Sequence, residues 1–191
     1  MSKCVCIVPV TRIDSFNPAA QSIFNDDWTL SYEIDRDRVG ANIIRNKLLS
    51  QAIDADYIRF ADDDDLVLPH REIAIKELED CDVVYFDYIL NNSKCNFTGS
   101  LMTDAFISPA PWAFVAKATA LRCITELFDP NLPTCQGGYA FFNMIKHGLK
   151  IKHIKHYAYH WLRRDDGVNS HPDHKKLLLK LQNQVYDFYR K

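Results

Sequence analysis

Four consecutive aspartates, Asp62 to Asp65, stand directly after the apolar-rich stretch 57–61. Adjacent carboxylates at a strand end repel one another, so a chain keeps them only where solvent or a cation offsets the repulsion. A solvated acidic turn is one explanation. A divalent metal is the other, since Mg²⁺ or Mn²⁺ takes carboxylate oxygens and keeps positions open for phosphates. Ligands of open α/β sheets bind at the carboxyl ends of strands, so the position of the run favours a metal site.

The chain alternates strand-like and helix-like patterns. Near-continuous apolar runs such as 3–10 are typical of strands buried on both faces, and the apolar residues of 40–52 recur at helical spacing. This alternation predicts an α/β fold, a three-layer α/β/α domain with a mostly parallel central sheet. With 191 residues, 47% of them hydrophobic, we expect one compact domain over 1–191. The other predicted strands are 29–34, 57–61, 82–90, 112–116 and 150–159, and the other predicted helices are 73–79, 117–127, 139–147 and 173–190, with a polar excursion at 91–108.

Charge is unevenly distributed, although the net charge is only -2. Residues 1–90 carry 18 acidic against 9 basic side chains, whereas residues 141–191 carry 4 against 11. The basic segment is either a solvated face or a surface that meets phosphate groups of a donor or an anionic acceptor.

Apolar runs and cysteines bear on the compartment. No stretch approaches the roughly 18 consecutive apolar residues of a membrane span, and the first apolar run is too short for a signal peptide. The six cysteines form no CxxC pair, so we interpret them as free thiols in a reducing compartment. We expect no transmembrane anchor and a cytoplasmic location, which for a viral protein would be the host cytoplasm.

Several segments together resemble the family 2 glycosyltransferases of GT-A fold. The most specific is 57–69, which matches the pattern Y-I-x-F-x-D-x-D-D followed by a proline four residues on. The other matching segments are Ile7-Val8-Pro9-Val10, Gly40 with Arg45-Asn46, Leu127-Phe128-Asp129 and Lys146-His147-Gly148-Leu149-Lys150.

The resemblance implies transfer of a hexosyl or pentosyl group from a nucleoside diphosphate sugar to a hydroxyl, with Mn²⁺ or Mg²⁺ as cofactor. Residues 1–90 would form the nucleotide and metal half, and residues 91–191 the acceptor half. The implied metal ligands are Asp62, Asp64, Asp65 and His160, although a lone histidine is more often structural. The residues assigned to the nucleotide are Pro9, Thr11, Arg12, Asp35, Arg45, Asp62, Arg163 and Arg164; a solvated loop is the alternative for the last two.

Two departures from the family pattern matter. One strand–helix unit between residues 10 and 40 looks shortened, which weakens the assignment of Asp35. Inverting members carry a Glu-Asp pair where this chain has Gln136 and Gly137, and neither of these can accept a proton near neutral pH. Either another carboxylate supplies the base, or the enzyme is retaining, or transfer has been lost. The candidate bases are Asp104, Asp129, Asp165 and Asp166.

The acceptor stays open. Trp112 and Gln136 are the candidate acceptor contacts, Trp112 because flanking prolines would hold its ring in a loop where a sugar or base can stack. A polysaccharide or lipid precursor is the family's commonest acceptor, and a polyanion or a modified base in DNA is the alternative. Two other functions compete: a non-catalytic module that binds a nucleotide sugar or a metal, and a nucleotidyltransferase, which would want a glycine-rich loop that residues 10–14 do not supply.

Overall fold

The computed structural model describes residues 2–11, 27–63, 66–107, 109–161 and 171–191. Eight strands in these residues form one sheet, in the order β2-β1-β3-β7-β5-β8-β4 with β6 paired to β5. The strands are β1 Cys4–Val10, β2 Thr29–Ile34, β3 Tyr57–Phe60, β4 Leu66–Val67, β5 Val83–Leu90, β6 Ser93–Cys95, β7 Phe114–Lys117 and β8 Ile151–Trp161.

Most strands run in one direction. β1 pairs in parallel with β2 and β3, and β5 pairs in parallel with β8. β7 lies between β3 and β5 and is antiparallel to both, so β3 and β5 point the same way. Within the described chain, β4, β6 and β7 are the strands that oppose this direction. The predicted α/β fold with a mostly parallel sheet is confirmed.

The helices of the described residues lie where helical spacing predicted them, with two exceptions. The excursion 91–108 contains β6 and a short helix, and the helix predicted at 117–127 ends earlier, before the β-branched pair Ile124-Thr125. None of these helices is long and apolar enough to cross a membrane. The helices are α1 Ala41–Gln51, α2 Arg71–Glu77, α3 Leu101–Ile107, α4 Ala118–Arg122, α5 Gln136–Lys146 and α6 His174–Tyr189.

A buried arginine and histidine lie against the sheet beside Trp28. Arg59 of β3 is fully buried, with its guanidinium carbon 5.5 Å from the Trp28 ring. Its Nη1 lies 3.2 Å from His70 Nε2, and His70 Nδ1 lies 2.6 Å from the Leu68 carbonyl oxygen. Because arginine can only donate and a carbonyl can only accept, Nδ1 carries the proton and His70 is neutral. Burial, and next the positive charge of Arg59, lower the pKa of His70 well below its usual 6.5.

His70 therefore makes stability depend on pH. Below pH 6.5 the unfolded chain protonates His70 while the folded chain does not, so the free energy of unfolding falls as the pH drops from 7 towards 5. His70→Gln keeps a neutral acceptor for Arg59 and removes this titration. We expect the variant to lose less stability over that range, by at most about 1.4 kcal/mol per pH unit, the effect of one proton. Urea unfolding of both proteins at pH 7, 6 and 5 measures the difference; parallel pH profiles would contradict the assignment.

Candidate functional site

The carboxyl ends of β1, β2 and β3 meet at one edge of the sheet. The Asp35 amide, just past β2, donates to the Val10 carbonyl of β1 at 2.8 Å, and the Ala61 amide, just past β3, donates to the Ile7 carbonyl at 3.1 Å. The acidic run thus begins at this edge. Its first two residues, Asp62 and Asp63, are described, and Asp64 and Asp65 lie outside the described residues.

Asp63 joins the ends of β3 and β1. One of its carboxylate oxygens accepts from the Thr11 amide at 2.7 Å and from the Thr11 hydroxyl at 3.3 Å. Asp63 is buried, and the sequence motif treats its position as variable. Thr11, assigned to the nucleotide from the sequence, here uses its amide and its hydroxyl to hold this carboxylate.

Asp62 is fixed by two partners from different elements. Its Oδ1 accepts from Arg45 Nη2 at 2.5 Å, and its backbone amide donates to the Tyr159 hydroxyl at 3.0 Å. The Asp62 side chain is 31% exposed, whereas that of Arg45 is only 4% exposed. None of the described residues donates to the second Asp62 oxygen.

Arg45 bridges Asp62 to the start of α5. Its Nη1 donates to Gln136 Oε1 at 2.7 Å, and its guanidinium carbon lies 5.5 Å from the centre of the Phe128 ring. Its Nε has no hydrogen-bond partner among the described residues. The sequence assigns Arg45 to the nucleotide and Gln136 to the acceptor. Their contacts make Arg45 a buried cation that joins Asp62 to the start of α5, with Gln136 as one of its acceptors. Their roles towards the nucleotide and the acceptor stay predictions.

Helix α1 also holds the loop that precedes α5. Asn42 Nδ2 donates to the Asp129 carbonyl at 2.7 Å. Asn46 Nδ2 donates to the Phe128 carbonyl at 2.6 Å, and its Oδ1 accepts from the Phe128 amide at 3.1 Å. Asp129 is half-buried, and its Oδ1 accepts from the Asn131 amide at 2.9 Å. Among the described candidate bases, Asp129 is therefore the one whose backbone is tied to the helix that carries Arg45.

Gly137 has no room for a side chain. A Cβ built there would lie 2.2 Å from the Pro109 carbonyl oxygen and 2.5 Å from Ala110 Cα, closer than any real Cβ contact. Backbone, rather than a flexible side chain, fills this space, so a larger residue would have to move the chain. At position 137, a carboxylate is therefore absent where the neighbouring backbone leaves no space for a side chain.

Asp104 is fully buried and saturated with donors. It accepts from the Tyr85 hydroxyl at 2.6 Å, from the Thr98 amide and hydroxyl at 2.8 Å each, and from the Gly99 amide at 2.9 Å. Burial, and next the hydrogen bond to Asp104, raise the pKa of Tyr85, so the phenol remains a donor. The described contacts of Asp104 are those of a structural carboxylate that organises the segment before α3. Its role as a base stays a prediction.

Asp35 also serves the backbone. Its Oδ1 accepts from the Val39 amide at 2.7 Å and its Oδ2 from the Gly40 amide at 2.9 Å, which shapes the turn into α1. Gly40 has φ 101°, a conformation that favours glycine. Pro9, also assigned to the nucleotide, is buried within β1. Asp35, Gly40 and Pro9 thus shape the backbone at and near the ends of β1 and β2.

Trp112 is buried rather than presented to an acceptor. It lies in a 3-10 turn, Pro111–Ala113, and its ring stacks on Tyr159 with centroids 4.4 Å apart and parallel planes. The flanking prolines predicted that a loop would hold the Trp112 ring, and the 3-10 turn directs that ring into the core. The role of Trp112 as an acceptor contact stays a prediction.

His160 lies beside the strand that follows the acidic run. In the β4–β8 pair, Leu66 is opposite His160 and Val67 is opposite Tyr159. His160 Nε2 contacts the Asn91 carbonyl oxygen, which leaves Nδ1 as the ring nitrogen with a lone pair. No group of three or more His, Cys, Asp or Glu side chains in the described ranges is arranged to hold a metal. Asp64, Asp65, Arg12, Arg163, Arg164, Asp165 and Asp166 lie outside those ranges.

Comparison with known proteins gives the fold its name. No protein-family model and no curated protein sequence matches the chain. Among solved structures, S. aureus TarS 1-349 in complex with UDP-GlcNAc matches 96% of this chain with a TM-score of 0.67 and 13% identity. The mannosyltransferase PcManGT from Pyrobaculum calidifontis, in complex with GDP-Man and Mn²⁺, matches 99% with a TM-score of 0.67 and 12% identity. A197 from STIV matches 79% with a TM-score of 0.50 and 14% identity.

The chain has the GT-A glycosyltransferase fold that its motifs resemble. It spans 65% of the TarS 1-349 chain, 64% of the PcManGT chain and 82% of the A197 chain. At these identities the likeness shows the fold alone.

The Arg45–Asp62 pair predicts a measurable coupling. Removing either partner leaves the charge of the other poorly compensated. We therefore expect Arg45→Met and Asp62→Asn each to lower the free energy of unfolding by about 2 kcal/mol. This loss is small for a buried ion pair, because Asp62 is partly exposed. The double variant should lose less than the sum, with a coupling of about 1–2 kcal/mol in urea unfolding.

The exposed Lys47–Glu33 pair, which also reaches from α1 to the sheet, is the matched control. Its cycle should give only about 0–0.5 kcal/mol. Additive losses for Arg45 and Asp62 would mean that the two charges do not depend on each other.

Proposed function

We propose that the protein is a metal-dependent glycosyltransferase that moves a sugar from a nucleoside diphosphate sugar to a hydroxyl acceptor. The observation that carries the proposal is the position of the acidic run. It begins at the carboxyl end of β3 in a GT-A fold, with Asp62 fixed in place by Arg45 and Tyr159. The proteins that share the fold support it, since they were solved with UDP-GlcNAc and with GDP-Man and Mn²⁺.

The chemistry of Asp62 fits a hard cation or a ribose. Arg45 occupies one carboxylate oxygen, and the other faces a partly exposed environment with no donor among the described residues. Carboxylate oxygen is the ligand that Mn²⁺ and Mg²⁺ prefer. In the proposal Asp64 and Asp65 supply further ligands, and His160 contributes through Nδ1. A bound metal would neutralise the diphosphate and make it a better leaving group.

The protein's own residues orient the reacting groups. Arg45 holds Asp62 and, through Gln136, the start of α5, so the donor side and the acceptor side are fixed relative to each other. Asp129, on the loop that α1 holds, and Asp165 are our candidates for the base that takes the acceptor proton. A retaining reaction, which would need no base at 136–137, is compatible with the same arrangement.

A second candidate function rests on Gly137. Because backbone fills the space of a side chain there and Gln136 is engaged by Arg45, the start of α5 offers no proton acceptor. This favours a module that binds a nucleotide sugar without transferring it. Release of nucleoside diphosphate from the donor separates the two functions, since only the transferase, or its hydrolytic side reaction, produces it.

Donor binding is tested with nucleoside diphosphates and nucleotide sugars, with and without Mn²⁺, in a thermal unfolding assay. At about 100 times Kd, a ligand selective for the folded state adds roughly 2.7 kcal/mol of stability. We expect one base to give a Mn²⁺-dependent stabilisation that Asp64→Ala abolishes. We choose Asp64 for this substitution rather than Asp62, because loss of Asp62 would also leave the buried charge of Arg45 without its carboxylate partner.

Asp54→Ala is the matched control, because Asp54 is an exposed aspartate whose side chain pairs with Lys3 at the opposite end of β3 from the acidic run. It should leave the stabilisation intact. If no nucleotide stabilises the native protein, or if Asp64→Ala responds like the native protein, the donor site is not where we place it.

Installing the missing carboxylates should not create a better enzyme. Gly137→Asp is expected to cost about 1–3 kcal/mol of stability, because its Cβ meets the Pro109 and Ala110 backbone, and it should not raise nucleoside diphosphate release. Gln136→Glu is the comparison, since it keeps the shape of a side chain that already reaches Arg45. Faster release by Gly137→Asp at unchanged stability would show that the backbone yields easily and that the base belongs there.

A further inference from the structure

Helix α6 has an outward face that is both apolar and basic. Its inner face is anchored by the buried residues Leu181 and Val185. Leu179 and Tyr186 nevertheless remain 57% and 47% exposed. Between 173 and 191 the chain carries five lysine and arginine residues and two aspartates, with no glutamate.

Helical spacing places the exposed apolar and basic residues together. At 100° per residue, Lys175, Leu179, Tyr186 and Arg190 fall on one side of α6, away from Leu181 and Val185. The guanidinium carbon of Arg190 lies 5.6 Å from the centre of the Tyr186 ring. Positive charge therefore borders the apolar side chains directly, and we call these four residues the α6 face.

The neighbouring helix α3 packs beside α6 and carries a further exposed apolar residue. Gln182 Nε2 donates to the Phe106 carbonyl at 3.2 Å, and the next residue along α3, Ile107, is 49% exposed. Gln182 lies on the flank of α6 that leads to Leu179 and Tyr186. Exposed aliphatic and aromatic side chains thus lie on basic helix α6 and on the helix packed beside it, a combination that marks an interaction site more often than chance exposure does.

We propose that the α6 face docks on an anionic lipid bilayer surface. A helix with a basic rim and Leu and Tyr side chains that point outward lies in the plane of the lipid headgroups, where lysine and arginine meet anionic lipid and the apolar side chains enter the boundary. The aliphatic side chains Leu179 and Ile107 favour a lipid surface over nucleic acid. They are stabilised at an acyl boundary, and they offer no ring for stacking on nucleic-acid bases. A second copy of the same basic face would be repelled.

The position of α6 connects this surface with the proposed activity. His174, at the start of α6, lies with its Nδ1 2.6 Å from the Thr134 hydroxyl and 3.6 Å from Cys135 Sγ. Those residues directly precede Gln136, the first residue of α5 and a partner of Arg45. A docked α6 would hold the acceptor side of the site near the bilayer, which suits a hydroxyl acceptor on a lipid. This last step rests on the proposed function, whereas the docking itself does not.

Co-sedimentation of the full chain with vesicles tests the docking. We expect binding to vesicles of phosphatidylcholine with 30% phosphatidylglycerol, about tenfold or more tighter than to phosphatidylcholine alone, and weakening as salt rises. Leu179→Ser with Tyr186→Ser should lose most of the binding to the anionic vesicles. Lys175→Glu with Arg190→Glu should weaken it by at least roughly fivefold per charge, the effect of one basic residue near such a surface.

Ile53→Ser is the matched control, because Ile53 is an exposed isoleucine after α1 and not part of the α6 face. It should bind like the native protein. Thermal unfolding of every variant with the nucleotide and Mn²⁺ keeps docking separate from donor binding: loss of sedimentation with an intact nucleotide response shows a docking defect alone.

Three results would overturn the proposal. They are no sedimentation with anionic vesicles, unchanged sedimentation of both paired variants, and tighter binding of the native protein to double-stranded DNA than to the anionic vesicles. The last would identify the face as a nucleic-acid surface. Absence of a nucleotide response together with normal sedimentation would overturn the proposed function and leave the docking in place.

Discussion

The buried charge of Arg45 is the interaction on which the site depends. A guanidinium removed from water is costly unless a carboxylate and further acceptors compensate it. Asp62 supplies the carboxylate from the end of β3, and Gln136 supplies an amide oxygen from the start of α5. Since Arg45 belongs to α1, one side chain joins α1 to the end of β3 and to α5, which lies 91 residues further along the chain. Asn42 and Asn46 bind the loop before α5 to the same helix, so α1 positions both Asp62 and that loop.

The same contacts change what the acidic run requires. Four adjacent carboxylates would repel strongly if they all faced solvent, but Asp62 is offset by Arg45 and Asp63 by the amide and hydroxyl of Thr11. Part of the repulsion is therefore relieved by the protein itself. A cation would have to compensate mainly Asp64, Asp65 and the second oxygen of Asp62. Because Asp62 and Asp63 have partners within the protein, part of the run stabilises the fold while the remaining oxygens could bind a ligand. Substitutions along the run should therefore differ in their effect on stability.

Sequence patterns predicted the elements better than the partners of their polar side chains. Period and apolar content located β1, β3, β5 and α6 closely, because burial of a face leaves a repeat along the chain. They missed α3, whose polar neighbourhood is organised by the buried carboxylate of Asp104. They did not show that the Trp112 ring is buried, because flanking prolines indicate a turn without indicating which way the ring points. The sequence likewise shows that position 45 is an arginine and position 63 an aspartate, but not which groups they bind. The acceptors of Arg45 and the donors to Asp63 come within reach only in the folded chain.

The missing carboxylate at Gly137 is connected with the position of Asp62 through packing. Gly137 allows the Pro109–Ala110 backbone to approach α5, and that segment leads directly into the 3-10 turn that buries Trp112. Trp112 stacks on Tyr159, and the Tyr159 hydroxyl accepts from the Asp62 amide. A side chain at 137 would press on the first member of this series, and a tightly packed interior transmits such a shift rather than absorbing it. The start of α5 and the start of the acidic run are therefore parts of one packed unit, in which a carboxylate at 137 and the present position of Asp62 compete.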